Sequence, residues 1–191
     1  MAQSTQLDDP VSVARAAFTA YEAKDWRRVA ELTHPDALAQ LREQHLRMAR
    51  AWEARPPLAA VHDSTVPEAV AKYFDEIHAR TLAEHGNPVL AGFSGVSSVA
   101  EFERLSPEAV LAAYLEGQVP KPENYDDGRP PVSTRTVIGG VPEADSVVHV
   151  VYRIHTDVGR FGETEEVDVL TLRRAPSGWR IMLNGDLSWT R

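Results

Sequence analysis

Val147-Val148-His149-Val150-Val151-Tyr152-Arg153-Ile154-His155-Thr156 is the stretch on which the fold turns. Successive side chains of a strand point to opposite faces, so Val148, Val150, Tyr152 and Ile154 share one face and Val147, His149, Val151, Arg153 and His155 the other. The first set is apolar throughout and marks a core face. One buried and one mixed face is the signature of an antiparallel strand.

Three more β segments flank it, about 132–138, 164–174 and 178–186, set apart by Gly139-Gly140, by Gly159–Gly162 and by Pro176-Ser177-Gly178. A tight turn at Pro176-Ser177 pairs Arg174 with Trp179, Leu172 with Ile181, Leu170 with Leu183 and Asp168 with Gly185. A single carboxylate, Asp168, thereby falls on the face of Leu170, Leu172, Ile181 and Leu183. Arg135 and Arg153 on neighbouring strands offer it ion-pair partners near a strand end. The opposite face carries Val167, Val169, Thr171 and Met182 beside Arg173 and Arg180, more apolar than solvent exposure requires, and predicts a subunit contact.

Upstream the composition changes character. Residues 1–120 hold 23 alanines, whereas residues 132–191 hold two alanines and ten valines. Helices first and strands afterwards indicate α+β with an antiparallel sheet, because a parallel sheet needs the two to alternate. Asp9 followed by Pro10 opens a first helix with Val11, Ala14, Phe18 and Tyr21 on one stripe. Asp25 caps a short second helix carrying Trp26, Val29 and Ala30, which stops at His34-Pro35. A long third helix follows with the stripe Leu38, Leu41, His45, Met48 and Trp52, ended by Pro56-Pro57. Thr65 and Glu68 form a capping box for a fourth, with Val70, Tyr73, Phe74 and Ile77 inward and Gly86 as its stop. Ser98 with Glu101 repeats the box. Ser106-Pro107 opens the last helix, which turns Val110, Leu111, Tyr114 and Leu115 inward and closes at Gly117. The chain reads as one domain over 1–191, divided into opening helices (1–35), a helical middle (36–117), a connecting loop (118–131) and the sheet (132–191).

Composition excludes several functions. With 28 acidic against 20 basic residues the 191-residue chain carries −8, and its arginines are scattered, so neither nucleic acid nor an anionic membrane surface is an expected partner. Zero cysteines exclude disulfides, thiol catalysis and thiolate-bound metal. The longest apolar run, Ala109–Leu115, is far below the roughly 20 residues of a membrane span. Met1–Asp9 is polar and acidic, unlike a signal peptide, and predicts a cytoplasmic protein.

The layout resembles the nuclear transport factor 2-like superfamily, the α+β cone that includes SnoaL-like polyketide cyclases and ketosteroid isomerases. The likeness rests on Val11–Tyr21 followed by Ala23-Lys24-Asp25-Trp26, on Leu32-Thr33-His34-Pro35-Asp36, and on the hairpin Val169–Arg174 with Gly178-Trp179-Arg180-Ile181. The resemblance covers about half the chain, and the region from Leu38 to Tyr125 is longer and more helical than the family pattern. The resemblance implies a curved sheet with the helices in its concave face, a pocket between them and a homodimer packed through the sheet. It does not imply one function, since this fold hosts enzymes, ligand binders and interaction modules.

In such a pocket a carboxylate beside a tyrosine can move a proton and stabilise an oxyanion. The candidate catalytic residues are Asp168 with Tyr152 or Tyr21, although the isomerase spacing itself is not reproduced. The bland alternative is a hydrated or arginine-paired Asp168 and tyrosines that fill core. No metal or other cofactor is expected: His78 and His85 lie seven apart on a helix, His149 and His155 six apart on a strand, each too far to share one ion. Gly92-Phe93-Ser94-Gly95 lacks the spacing and flanks of a nucleophile elbow. His45 is a packing residue and His34 a helix-end residue. Three readings follow. The first is a non-catalytic module binding a small apolar ligand or a protein, dimerising through its sheet. The second is an isomerase, cyclase or hydratase that transfers a proton on a small hydrophobic substrate. In the third the helical middle plugs the pocket.

Overall fold

The computed structural model describes residues 8–55, 67–125 and 128–183. Among the described residues six α-helices precede a four-stranded sheet: α1 (Pro10–Glu22), α2 (Trp26–Leu32), α3 (Pro35–Glu53), α4 (Glu68–His85), α5 (Val99–Glu103), α6 (Pro107–Gly117), then β1 (Val132–Ala144), β2 (Val147–Asp157), β3 (Glu163–Ala175) and β4 (Gly178–Ile181). The strands lie in sequence order and every pairing is antiparallel, the α+β arrangement expected. Leu172 pairs with Ile181 and Arg174 with Trp179, as the tight turn dictates. Asn184–Asp186, and with them the expected partner of Asp168, lie outside the described residues.

Val148, Val150, Tyr152 and Ile154 are buried, and α1 packs against β1, β2 and β4. Phe18 of α1 packs its ring 4.7 Å from that of Tyr152. Around them, Val13, Leu32, Phe102, Leu111, Leu115, Leu170 and Ile181 complete one continuous core drawn from helices and sheet together. The first two helix starts follow the sequence, the Asp9 carboxylate accepting from the Ser12 amide at 2.9 Å and Asp25 from Arg28 at 3.0 Å, while His34, expected at the stop of the second helix, caps α3 by accepting from Asp36 at 3.2 Å.

Four expectations are corrected. Val70, Tyr73 and Phe74 do not face the core: they are 41, 58 and 50% exposed, while neighbouring Ala71 is buried. Helix α4 begins after Pro67 with no side-chain cap, and Thr65 lies outside the described residues. On α3 the buried stripe runs Leu38, Leu41, Leu46, Ala49, and Met48 turns out to 47% exposure, because after Leu41 the stripe advances by five residues where four were expected. Finally, Gly139-Gly140 does not end β1. The strand continues through a bulge to Ala144, and a Cβ on Gly140 would sit 3.2 Å from Val11 Cγ2, so this glycine admits α1 against the sheet.

Candidate functional site

Two adjoining clefts share Pro120, Pro131 and Ser133 in their walls. The first is built by the turn between α1 and α2. Lys24 adopts a left-handed φ of 56°, its amide bonds Tyr21 O at 3.0 Å and the Asp25 amide bonds Ala20 O at 2.8 Å. This Schellman turn ends α1, lets Asp25 cap α2, and sets Trp26 edge-on to Tyr21 with ring centroids 5.4 Å apart. The Trp26 indole donates to the Glu116 carboxylate. Opposite them β1 presents Ser133 and Arg135, and the Arg135 guanidinium lies over the Tyr21 ring, 4.6 Å from its centroid. Pro120, Pro130 and Pro131 form the remaining wall of a cavity of about 310 Å³. Burial, the dominant influence, raises the Tyr21 pKa above its ordinary value, while the Arg135 charge pulls it down.

The second cleft, about 580 Å³, lies over the inward face of the strands where Ile154, Thr156, Glu166 and Asp168 meet Tyr125 and Pro131. Asp168 stands directly across from Tyr152 in the β2–β3 register, and the fully buried Tyr152 hydroxyl donates to Asp168 Oδ2 at 2.9 Å. The other carboxylate oxygen accepts the Val169 amide at 2.7 Å. Burial and then the Asp168 carboxylate raise the Tyr152 pKa well above the usual tyrosine range, so this hydroxyl remains a neutral donor.

Of the three residues singled out in the sequence, the structure thus brings Asp168 and Tyr152 together and places Tyr21 in the neighbouring cleft. Asp168 is not at a strand end, because β3 runs from Glu163 to Ala175. Arg153 does not face it either: that residue points outward, 3.9 Å from Glu165. The sequence offers Arg135 only as an ion-pair partner for Asp168 and Trp26 only as a residue of the second helix, neither as part of this cleft. Arg135 was detectable as a charge at an inward position, since it shares the parity of Ser133 and Val137 and stands opposite Ile154.

The histidines have local roles. His45 packs against Phe93 at 5.0 Å, His149 touches Glu143 at 2.7 Å and Thr171 at 3.1 Å, and His155 lies 3.9 Å from Glu163 and Glu165. Among the described residues no trio of His, Asp and Glu is placed to hold a metal ion, and no helix is long and apolar enough to cross a membrane. In comparisons with known proteins, no family model, no curated protein and no solved structure matches the chain.

Proposed function

We propose that the chain is a non-catalytic, small-molecule-binding member of the nuclear transport factor 2-like superfamily, its ligand held in the cleft beside Tyr21. The observation that carries this reading is that cavity: about 310 Å³, two aromatic rings on one wall and three prolines on another. Small-ligand sites start at about 300 Å³ and are mainly apolar with a few placed polar groups. Proline fixes φ, so such a wall loses little entropy when a ligand seats. The Tyr152–Asp168 pair supports binding over catalysis, because the hydroxyl hydrogen is already committed to the carboxylate. Calorimetric titration with 2-naphthol, a neutral bicyclic probe, is expected to show saturable binding. Filling the cavity by Val132→Trp, at a position 62% exposed, should abolish it. Binding unchanged in that variant would remove the cleft as the site.

One observation favours the proton-transfer reading: Asp168 also lines the larger cleft. Base-catalysed ring opening of 5-nitrobenzisoxazole measures such a base directly. Equal rates for the parent chain and Asp168→Asn are expected here, whereas a parental excess lost in the variant would favour an enzyme.

The outward sheet face supports a homodimer. Val141, Val167 and Val169 are 57, 63 and 39% exposed on it, and no described helix covers them. Sedimentation at tens of micromolar should give a dimer that Val167→Glu converts to monomer, since a paired interface buries this charge without a partner. A parent chain that sediments as a monomer would retire the dimer.

A further inference from the structure

The outward face of the sheet is polarised along its strands. On β3 the outward residues read Glu163, Glu165, Val167, Val169, Thr171 and Arg173, acidic at one end, basic at the other, with two exposed valines between. The neighbouring strands follow this polarity. Asp157 and His155 of β2 belong to the acidic end, His155 lying 3.9 Å from both Glu163 and Glu165, and Arg153 offsets one of the charges there. At the other end Arg180 stands beside Arg173 in the β3–β4 register and donates to Trp179 O at 2.8 Å and Ser177 Oγ at 3.0 Å, so Arg173 is the charge that faces solvent. Glu143, the acid of that end, lies against His149 Nε2 at 2.7 Å.

Reversed, the β3 row is its own complement. A two-fold axis in the interface plane, perpendicular to β3 and passing between Val167 and Val169, lays the strand antiparallel over the same strand of a second copy. Val167 then meets Val169 of the second copy, Glu165 meets its Thr171 and Glu163 meets its Arg173, each contact occurring twice. An axis parallel to the strands would instead stack acid on acid and arginine on arginine, which like-charge repulsion disfavours. Aligned sheets pack about 10 Å apart with strands crossing at about 30°. Glu163 and Arg173 stand about 16 Å from the axis at 3.3 Å per residue, where their long side chains span the offset that this angle creates.

We propose that a second copy of the chain docks with its β3 antiparallel over this one, the register fixed by two symmetric ion pairs between Glu163 of one copy and Arg173 of the other around a centre of valines. This rests on the homodimer reading of the same face and names how that partner is oriented. The valines favour association by leaving water, whereas the charges select one orientation and penalise the other.

Sedimentation of Arg173→Glu and Glu163→Arg, each alone and then mixed in equal amounts, tests the register. Alone, each variant sets like charges opposite one another twice and should weaken the dimer by roughly tenfold or more. Mixed, the two should pair with each other at close to the parental affinity. The reversed charge at 173 of one chain then meets the reversed charge at 163 of the other, and the unaltered Glu163 and Arg173 still meet. A folding defect cannot produce such a rescue. Should either variant fail to fold, the parent chain decides: raising salt from about 50 mM to about 500 mM should weaken its dimer severalfold. Single variants as dimeric as the parent, mixed variants that stay apart, or a parental dimer indifferent to salt would overturn the register and leave the homodimer standing. A monomeric parent chain would end both.

Discussion

Gly117→Ala is expected to lower the melting temperature by about 4–8 °C. A Cβ at this last residue of α6 would lie 2.1 Å from the Gly92 carbonyl oxygen, 2.8 Å from its carbon and 3.2 Å from the Ser94 nitrogen. All three are backbone atoms, and the segment is pinned there by the Ser94 amide donating to Ala113 O at 2.8 Å. Nothing at the contact can swing aside as a side-chain tip would. Overpacking costs about 1–3 kcal/mol and commonly more where backbone must move, against at most about 1 kcal/mol gained in helix propensity. A net loss of about 2 kcal/mol corresponds to roughly 4–8 °C in a chain of this size. Gly139→Ala is the control, because an added Cβ there meets nothing within 4 Å and should stay within about 0.5 kcal/mol of the parent. Equal melting of the two variants would refute the close approach. The cleft feels the same substitution, since Gln118, Val119 and Pro120, which follow Gly117 directly, line it.

Gly117 also illustrates what a sequence conveys and what it withholds. As a helix stop it is legible from position alone, but its actual role, admitting the backbone of residues 92–94, depends on a segment 25 residues away in the chain. The sheet was legible because its information is local. Period-two alternation in Val147–Thr156 sets the buried face, and the Pro176-Ser177 turn sets the Leu172–Ile181 register. Helix α4 shows the limit of the same method. Val70, Tyr73 and Phe74 do form an apolar stripe, yet periodicity says only that a face is apolar and not that anything covers it. Gly139-Gly140 reads as a turn for a related reason: the pair carries a turn signal, whereas Gly140 here admits a crossing helix, and only the position of Val11 reveals that.

The candidate site divides along the same line. Tyr152 and Asp168 were recoverable because parity and antiparallel register suffice to bring them to one face. Neither rule places a helix turn against a strand. The meeting of Tyr21, Trp26 and Arg135 joins residues more than 100 positions apart through the packing of α1 on β1, so the cleft they form had no signature in the sequence.

Tyr152→Phe is expected to cost about 1.5–3 kcal/mol and to flatten the loss of stability above pH 10. The hydroxyl is fully buried and donates to a carboxylate at 2.9 Å, and hydrogen bonds to charged groups contribute about that much. Asp168→Ala should cost a comparable amount for a different reason, leaving the buried hydroxyl without its acceptor. The double variant should lose less than the sum, by a coupling of about 1 kcal/mol or more. For pH, the folded state raises the Tyr152 pKa, through burial first and the Asp168 carboxylate second, whereas the unfolded chain ionises near 10. The stabilisation is therefore complete below pH 10 and is lost as the pH rises from there toward the folded pKa, at up to about 1.4 kcal/mol per pH unit. Tyr21, also raised by burial, keeps its own share of that slope in the variant. Urea unfolding between pH 9 and 11 measures the difference, and identical slopes for parent and Tyr152→Phe would show that Tyr152 is not held neutral. A steeper parental slope would establish a hydroxyl that keeps its proton throughout the physiological range. A group so held, its hydrogen already given to Asp168, cannot readily shuttle protons, which is the physical ground for proposing a ligand in the cleft beside Tyr21 rather than at the Tyr152–Asp168 pair.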